Sequence, residues 1–168
     1  TWSAAPADPA IGSPIAIANR QRQARVSVPR LRKLAAWLMA QATALRPELA
    51  GGPLSIALVD DAGIAPVNEQ FVHHHGPTDV ISFRYDPLPG CADAPAELVV
   101  NVQRAVLEAR RRGRPVGHEL ALYLAHGCLH LTGADDATPA QRARMQRVQN
   151  GWLRRATKDG LLDQLIAE

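Results

Sequence analysis

Cysteine is too scarce in this chain to build a disulfide framework. Cys91 and Cys128 are the two it has among 168 residues, which argues against the small disulfide-stapled secreted folds. Aromatic residues make up only 4%, so the core must be built from Leu, Val, Ile and Ala. Lysine is nearly absent as well: of 19 basic residues, all but Lys33 and Lys158 are arginine. No apolar run approaches the roughly 20 residues that cross a bilayer as a helix. The first residues lack the basic-then-apolar pattern of a secretory signal. No membrane partner is expected, and the cytoplasm is the expected compartment.

What is present suits one globular domain with a single core: 168 residues, 46% of them hydrophobic. The formal net charge is +3, and the arginines lean the balance toward nucleic acid, because guanidinium forks pair with phosphate and stack on bases. Such a charge does not decide the matter alone. Residues 1–14, rich in Ala and Pro without periodicity, read as a flexible tail. A strand is expected over 15–18, then a helix over 30–45 opened by Pro29 and buried through Leu31, Leu34, Ala35, Leu38 and Ala42. A strand over 54–59 stops at Asp60-Asp61, and a short helix over 64–72 follows. Strands over 80–85 and 97–102 and helices over 103–112, 116–131 and 139–155 complete the chain. Strands clustered between helices without strict βαβ alternation predict a single α+β domain, a small mixed sheet packed with several helices.

The segment His126-Gly127-Cys128-Leu129-His130-Leu131-Thr132-Gly133-Ala134-Asp135-Asp136 carries the chemistry. Two histidines four apart on a helix share one face, so both imidazoles can point at one ion. Gly133 permits a sharp turn that can bring Asp136 round as a third ligand. Three protein ligands with an open fourth position are the arrangement of a catalytic zinc site, whereas structural sites are closed by four. A His pair at this spacing also suits an ordinary buried pair, and Gly133 an ordinary helix end. The continuation to Asp136 favours the metal, as does the apolar run over 120–131, where unpartnered imidazoles would be costly to bury. Cys128, two residues from each histidine, faces away and reads as a small core residue. His73-His74-His75 cannot all face one ion from a regular element and read as a solvated loop.

Three blocks in order extend the pattern: NEQFVHHHGPTDVISF over 68–83, ELVVNV over 97–102 and GHELALYLAHGCLHLTGADD over 117–136. Together they resemble the YbeY family, bacterial zinc-dependent endoribonucleases of rRNA maturation. In that family the blocks run PTDVLSF, GDIVIS and HELxxLxVHGxLHLxGYDH. The resemblance implies a metal-dependent hydrolase domain over 15–157 with a C-terminal tail over 158–168. It implies one Zn2+ per chain on His126, His130 and Asp136, set on a central helix and the turn after it. Thr78, Asp79, Ser82 and Arg84 would border a substrate groove. Alternation along their strand puts Asp79, Ile81 and Phe83 on one face and Val80, Ser82 and Arg84 on the other. The third ligand position is usually a histidine in the family and is Asp136 here, with Asp135 the alternative. A carboxylate is a competent zinc ligand, although it makes water on the ion less acidic than three neutral imidazoles would. Val72 stands where the family often has arginine, and Ala134 where it has tyrosine.

The function implied is a single-strand-specific endoribonuclease in rRNA maturation and ribosome quality control, hydrolysing phosphodiester bonds with water activated at the zinc. Its expected partners are single-stranded rRNA, ribosome-associated RNA and ribosomal proteins. No general base is assigned. Two rivals stand beside it: a metzincin-like metallopeptidase or amidase, and a non-catalytic RNA- or ribosome-binding factor that keeps zinc for stability. The peptidase motif HExxH carries its general base between the histidines, where this chain has Gly127. Arg104, Arg110, Arg111, Arg112 and Arg114 form a dense basic run; phosphate contacts from it would make binding strongly salt-dependent, whereas a solvated, dipole-compensating helix end would not. Glu119 and His118 are expected in structural roles.

Overall fold

The computed structural model of the chain describes residues 15–87, 89–90 and 95–167. The N-terminal stretch read as a tail, 1–14, lies outside them, and so does Cys91. Four strands form one mixed sheet: β1 (Ile15–Asn19), β2 (Leu54–Val59), β3 (Val80–Arg84) and β4 (Ala96–Asn101), in the order β1-β2-β4-β3. β1, β2 and β4 run parallel, and β3 closes one edge antiparallel to β4, pairing Ile81 with Val99 and Phe83 with Glu97. The helices are α1 (Val28–Leu45), α2 (Asp61–Val67), α3 (Val102–Arg112), α4 (Val116–Leu131) and α5 (Pro139–Lys158). The α+β architecture with a small mixed sheet is the one expected.

Period-two alternation sends the side chains of β2, β3 and β4 to two different cores. Leu54, Ile56 and Leu58 of β2 and Ala96, Leu98 and Val100 of β4 face a main core shared with α1, α3, α4 and α5. Ala57, Val59, Val99 and Ile81 face a smaller cluster closed by Ile64 of α2. Covering both faces of β2 and β4 accounts for their nearly continuous apolar sequences. α4 is the middle of the main core: Leu120, Ala121, Leu124, Ala125 and Cys128 are fully buried. Burial pushes the Cys128 thiol up to about 12, which leaves it an inert packing group.

Two elements differ from the sequence reading. The short helix begins earlier, at Asp61, because Asp60 caps it by accepting from the Gly63 N–H at 2.9 Å. It also ends earlier: beyond Pro66 the chain widens into a single π turn over Asn68–Val72. The C-terminal stretch read as a tail, 158–168, packs against the domain as far as it is described. Leu165 is fully buried, and Ile166 pairs with Val26 in an antiparallel bridge. Its apolar residues close the N-terminal ends of α1 and α4, where the Ser27 N–H donates to the Leu165 carbonyl and Gly117 packs beside Leu165.

Candidate metal centre

The close approach of α4 to β3 positions the histidines. A Cβ on Gly127 would stand 3.0 Å from Leu98 Cδ2, 3.1 Å from Val80 Cγ2 and 3.3 Å from Ser82 Oγ. Glycine therefore lets the helix backbone lie directly on the sheet, and Ser82 Oγ donates to the Gly127 carbonyl at 2.9 Å. His126 and His130 leave the helix at the rim of this contact, partly buried. After α4, Gly133 takes a left-handed φ of 90°, and its absent side chain leaves room for the Arg46 guanidinium. Arg46 Nη1 donates to the Thr132 carbonyl at 3.0 Å, satisfying one orphan acceptor of the helix end. The turn closes on α5, where Thr138 and Gln141 form a reciprocal capping box. Arg142 Nη1 holds the carbonyls of Asp136 and Ala137 at 3.1 and 3.3 Å.

His126, His130 and Asp136 converge there, as the spacing predicts, in an arrangement able to hold a metal ion. The two imidazole Nε2 atoms are 3.0 Å apart, and Asp136 Oδ2 lies 3.7 and 3.8 Å from them. Those separations leave between the three atoms the space of one ion at bond lengths of about 2.0–2.2 Å. The outer nitrogens explain why Nε2 is the atom free to ligate on both rings. His130 Nδ1 donates to the Ala134 carbonyl at 3.0 Å, and His126 Nδ1 to Gln149 Oε1 at 2.9 Å. An acceptor at Nδ1 fixes the proton there and leaves a lone pair on Nε2. Two lone pairs facing each other at 3.0 Å repel unless a cation lies between them. The donor set thus fits a metal.

Asp135, the alternative ligand, is exposed and turned away, its Oδ1 accepting from the Asp136 N–H at 2.8 Å. Thr78 and Asp79 come close to the centre: with His126, Tyr123 and Gln149 they line a cavity of about 540 Å³ beside it. Ser82 is spent on the Gly127 contact, and Arg84 is an exposed side chain at the far end of β3, outside that cavity wall. Glu119 is fully buried, with one carboxylate oxygen 3.3 Å from Arg112 Nη1 and the other unpartnered. His118 likewise keeps a buried Nδ1 without a partner.

Three residues of this region carry no mark in a search for metal motifs. Gln149 lies 23 positions beyond His126 on α5. Tyr123, one helical turn before His126, lines the same cavity, and burial, with Glu119, Asp79 and Glu108 near, raises its phenol above the usual range. Asn101 is a junction: its Oδ1 caps α3 through the Arg104 N–H at 3.1 Å. Its Nδ2 donates to Asp61 at 2.6 Å and to the Thr78 carbonyl at 3.0 Å, fixing the Thr78–Asp79 turn beside the histidines. A polar residue at a strand-to-helix boundary is the signal that could have singled it out.

Known proteins share this fold and much of this sequence. A solution structure of a Thermotoga maritima protein superposes with a TM-score of 0.58 at 21% identity, covering 90% of this chain and 94% of that one, which shows the shared fold. The endoribonuclease YbeY of Rhodopirellula baltica is 40% identical over 100 residues, 58% of this chain and 50% of that protein. The endoribonuclease YbeY of Rhodococcus opacus is 38% identical over 125 residues, 65% of this chain and 69% of its own length. That of an Anaeromyxobacter species is 39% identical over 121 residues, 71% of this chain and 63% of its own. The chain thus spans from about half to about two thirds of the length of these relatives. The model of the family described as endoribonuclease YbeY matches residues 16–157, nearly the whole described domain with the histidine pair and Asp136 inside it, and the chain belongs to that family.

Proposed function

We propose that this protein is a zinc-dependent endoribonuclease that cuts single-stranded rRNA or ribosome-associated RNA during rRNA maturation and ribosome quality control. On this reading it works in the cytoplasm as one catalytic domain over 15–157, with ribosomal proteins as further partners. The observation that carries it is the facing pair of Nε2 lone pairs at 3.0 Å with Asp136 beside them, opening on a cavity walled by arginines. No helix among the described residues is long and apolar enough to cross a membrane.

His126, His130 and Asp136 would hold one Zn2+. Bound there, the ion supplies Lewis acidity, lowering the pKa of water toward about 7 and drawing charge from a phosphoryl oxygen. Gln149 and the Ala134 carbonyl keep both imidazoles in the ligating tautomer and orientation. Thr78 and Asp79 border the substrate groove, and Asp79 Oδ1 is oriented by the Val80 N–H at 2.8 Å and Thr78 Oγ1 at 3.2 Å. The peptidase reading is weakened at Gly127: the position where HExxH enzymes carry their glutamate has no carboxylate and is crowded by Leu98, Val80 and Ser82.

The test is cleavage of a single-stranded RNA by the zinc-loaded protein. The expected result is activity that disappears on chelation and in His130→Ala, with casein left intact. RNA binding without any cleavage favours the non-catalytic factor instead, and chelator-sensitive casein hydrolysis without RNA cleavage favours the peptidase.

A further inference from the structure

The cavity next to the histidines has a second wall, contributed by α3 and chemically unlike the first. Arg104, Arg111 and Arg112 line it and converge on one carboxylate, Glu108, with nitrogen–oxygen distances of 3.7, 3.4 and 3.4 Å. Glu108 is buried, its side chain only 8% exposed, and one guanidinium would neutralise it. Arg112 is shared with the buried Glu119. Three guanidiniums against these two carboxylates leave one net positive charge on the α3 wall, facing Asp79 across the same cavity. Each guanidinium also has five N–H donors, of which the carboxylates take few. Glu108 thus works as an anchor that holds three cationic forks in place while most of their donors remain free.

Tyr123, on α4, lines the same space. It is 5% exposed, and its hydroxyl has no hydrogen-bond partner among the described residues. The hydroxyl is not sealed in the core but opens on the cavity. Tyr123 precedes His126 by three residues on the same helix face, so this donor borders the cavity beside the metal centre.

We propose that this arginine–tyrosine pocket binds a backbone phosphate of the RNA, the phosphodiester next to the one cut, and so sets the register of the strand on the metal centre. Guanidinium forks match the non-bridging oxygens of a phosphodiester, and the donors that Glu108 and Glu119 leave free are available to it. The Tyr123 hydroxyl, held in its protonated form, donates to the same group. The proposal rests on the endoribonuclease reading above. It separates the basic run by position, since all five arginines are exposed: Arg104, Arg111 and Arg112 line the pocket, whereas Arg110 and Arg114 lie outside its wall.

The test uses the zinc-loaded full chain and a labelled short single-stranded oligoribonucleotide, with stopped-flow anisotropy reading binding before any strand is cut. Arg104→Gln/Arg111→Gln is expected to weaken binding about tenfold or more. It should also flatten the slope of log affinity against log salt by about 0.7 for each phosphate no longer neutralised. Tyr123→Phe should weaken binding about fivefold with the slope unchanged, because the hydroxyl it removes is neutral. Both variants should keep their zinc content and melting temperature. Arg110→Gln/Arg114→Gln is the matched control and should bind close to the unaltered protein. The pocket is refuted if the control is weakened as much as Arg104→Gln/Arg111→Gln, which means diffuse surface charge. It is equally refuted if both pocket variants bind like the unaltered protein while that protein still cuts RNA, a result that leaves the endoribonuclease reading standing. An unaltered protein that neither binds nor cuts RNA overturns both.

Discussion

The chain has two groups of histidines, and they could hardly be more different. His73, His74 and His75 are consecutive and exposed, at the end of the π turn, where His73 takes a left-handed φ of 60° and His75 lies 3.8 Å from an equally exposed Glu69. His126 and His130 are fewer but sit one turn apart on a buried helix, each with its outer nitrogen committed to an oxygen. The loop has more imidazoles, and the helix has the metal geometry. Adjacent residues on irregular backbone splay apart, whereas i and i+4 on a helix share a face. An imidazole without an outer partner has neither a fixed tautomer nor a fixed orientation. What fits a histidine of this protein to hold a metal is therefore the backbone beneath it and the acceptor behind it.

That comparison can be broken most directly at His130. Replacing it with alanine should cost the protein a hundredfold or more in zinc affinity, beyond the roughly 10–100-fold typical for an outer partner, read as zinc retained against a chelator series. Asp136→Ala comes next, with an expected reduction approaching a hundredfold, whereas Asp136→His should hold the metal; equal retention by Asp136→Ala would remove the carboxylate from the site. Gln149→Leu keeps the bulk of the side chain and removes the acceptor behind His126, so zinc affinity should fall about tenfold with no change in helix content by circular dichroism. The supporting glycine gives a smaller effect, on stability. Gly127→Ala must displace Leu98, Val80 or Ser82 and should lower unfolding stability in urea by about 1–3 kcal/mol. Gly76→Ala beside the histidine loop meets no atom within 4 Å and costs only the strain of its positive φ. The smallest effect is expected in the loop itself: His74→Ala/His75→Ala should leave zinc content unchanged and stability within about 0.5 kcal/mol.

Local chemistry in the chain was enough for much of this. Short apolar runs in 54–59 and 97–102 marked the strands, because a strand covered on both faces reads as a nearly continuous apolar stretch. The turn at Gly133 followed from the need for a residue that tolerates positive φ after a helix. The capping role of Asp60 was not legible, because Asp60-Asp61 serves equally well as a plain strand stop, and the start of α2 was therefore expected too late. The docking of 158–167 was not legible either, since a few apolar residues such as Leu165 and Ile166 show no period from which packing can be read.

The sequence by itself determined that His126 and His130 face one point, because their relation is set by a single helix and needs nothing from elsewhere. Only the tertiary structure brings Asp136, and not Asp135, beside the two imidazoles, since both follow the same glycine. The choice depends on how the turn is tied down by Arg142 and by the start of α5. The same holds for Gln149 behind His126, for Asn101 beneath Thr78, for the Glu108 anchor set against Tyr123, and for the reason Gly127 has no side chain. Each depends on contacts between elements far apart in the chain, and those distances follow from how helices and sheet pack, which local spacing does not encode.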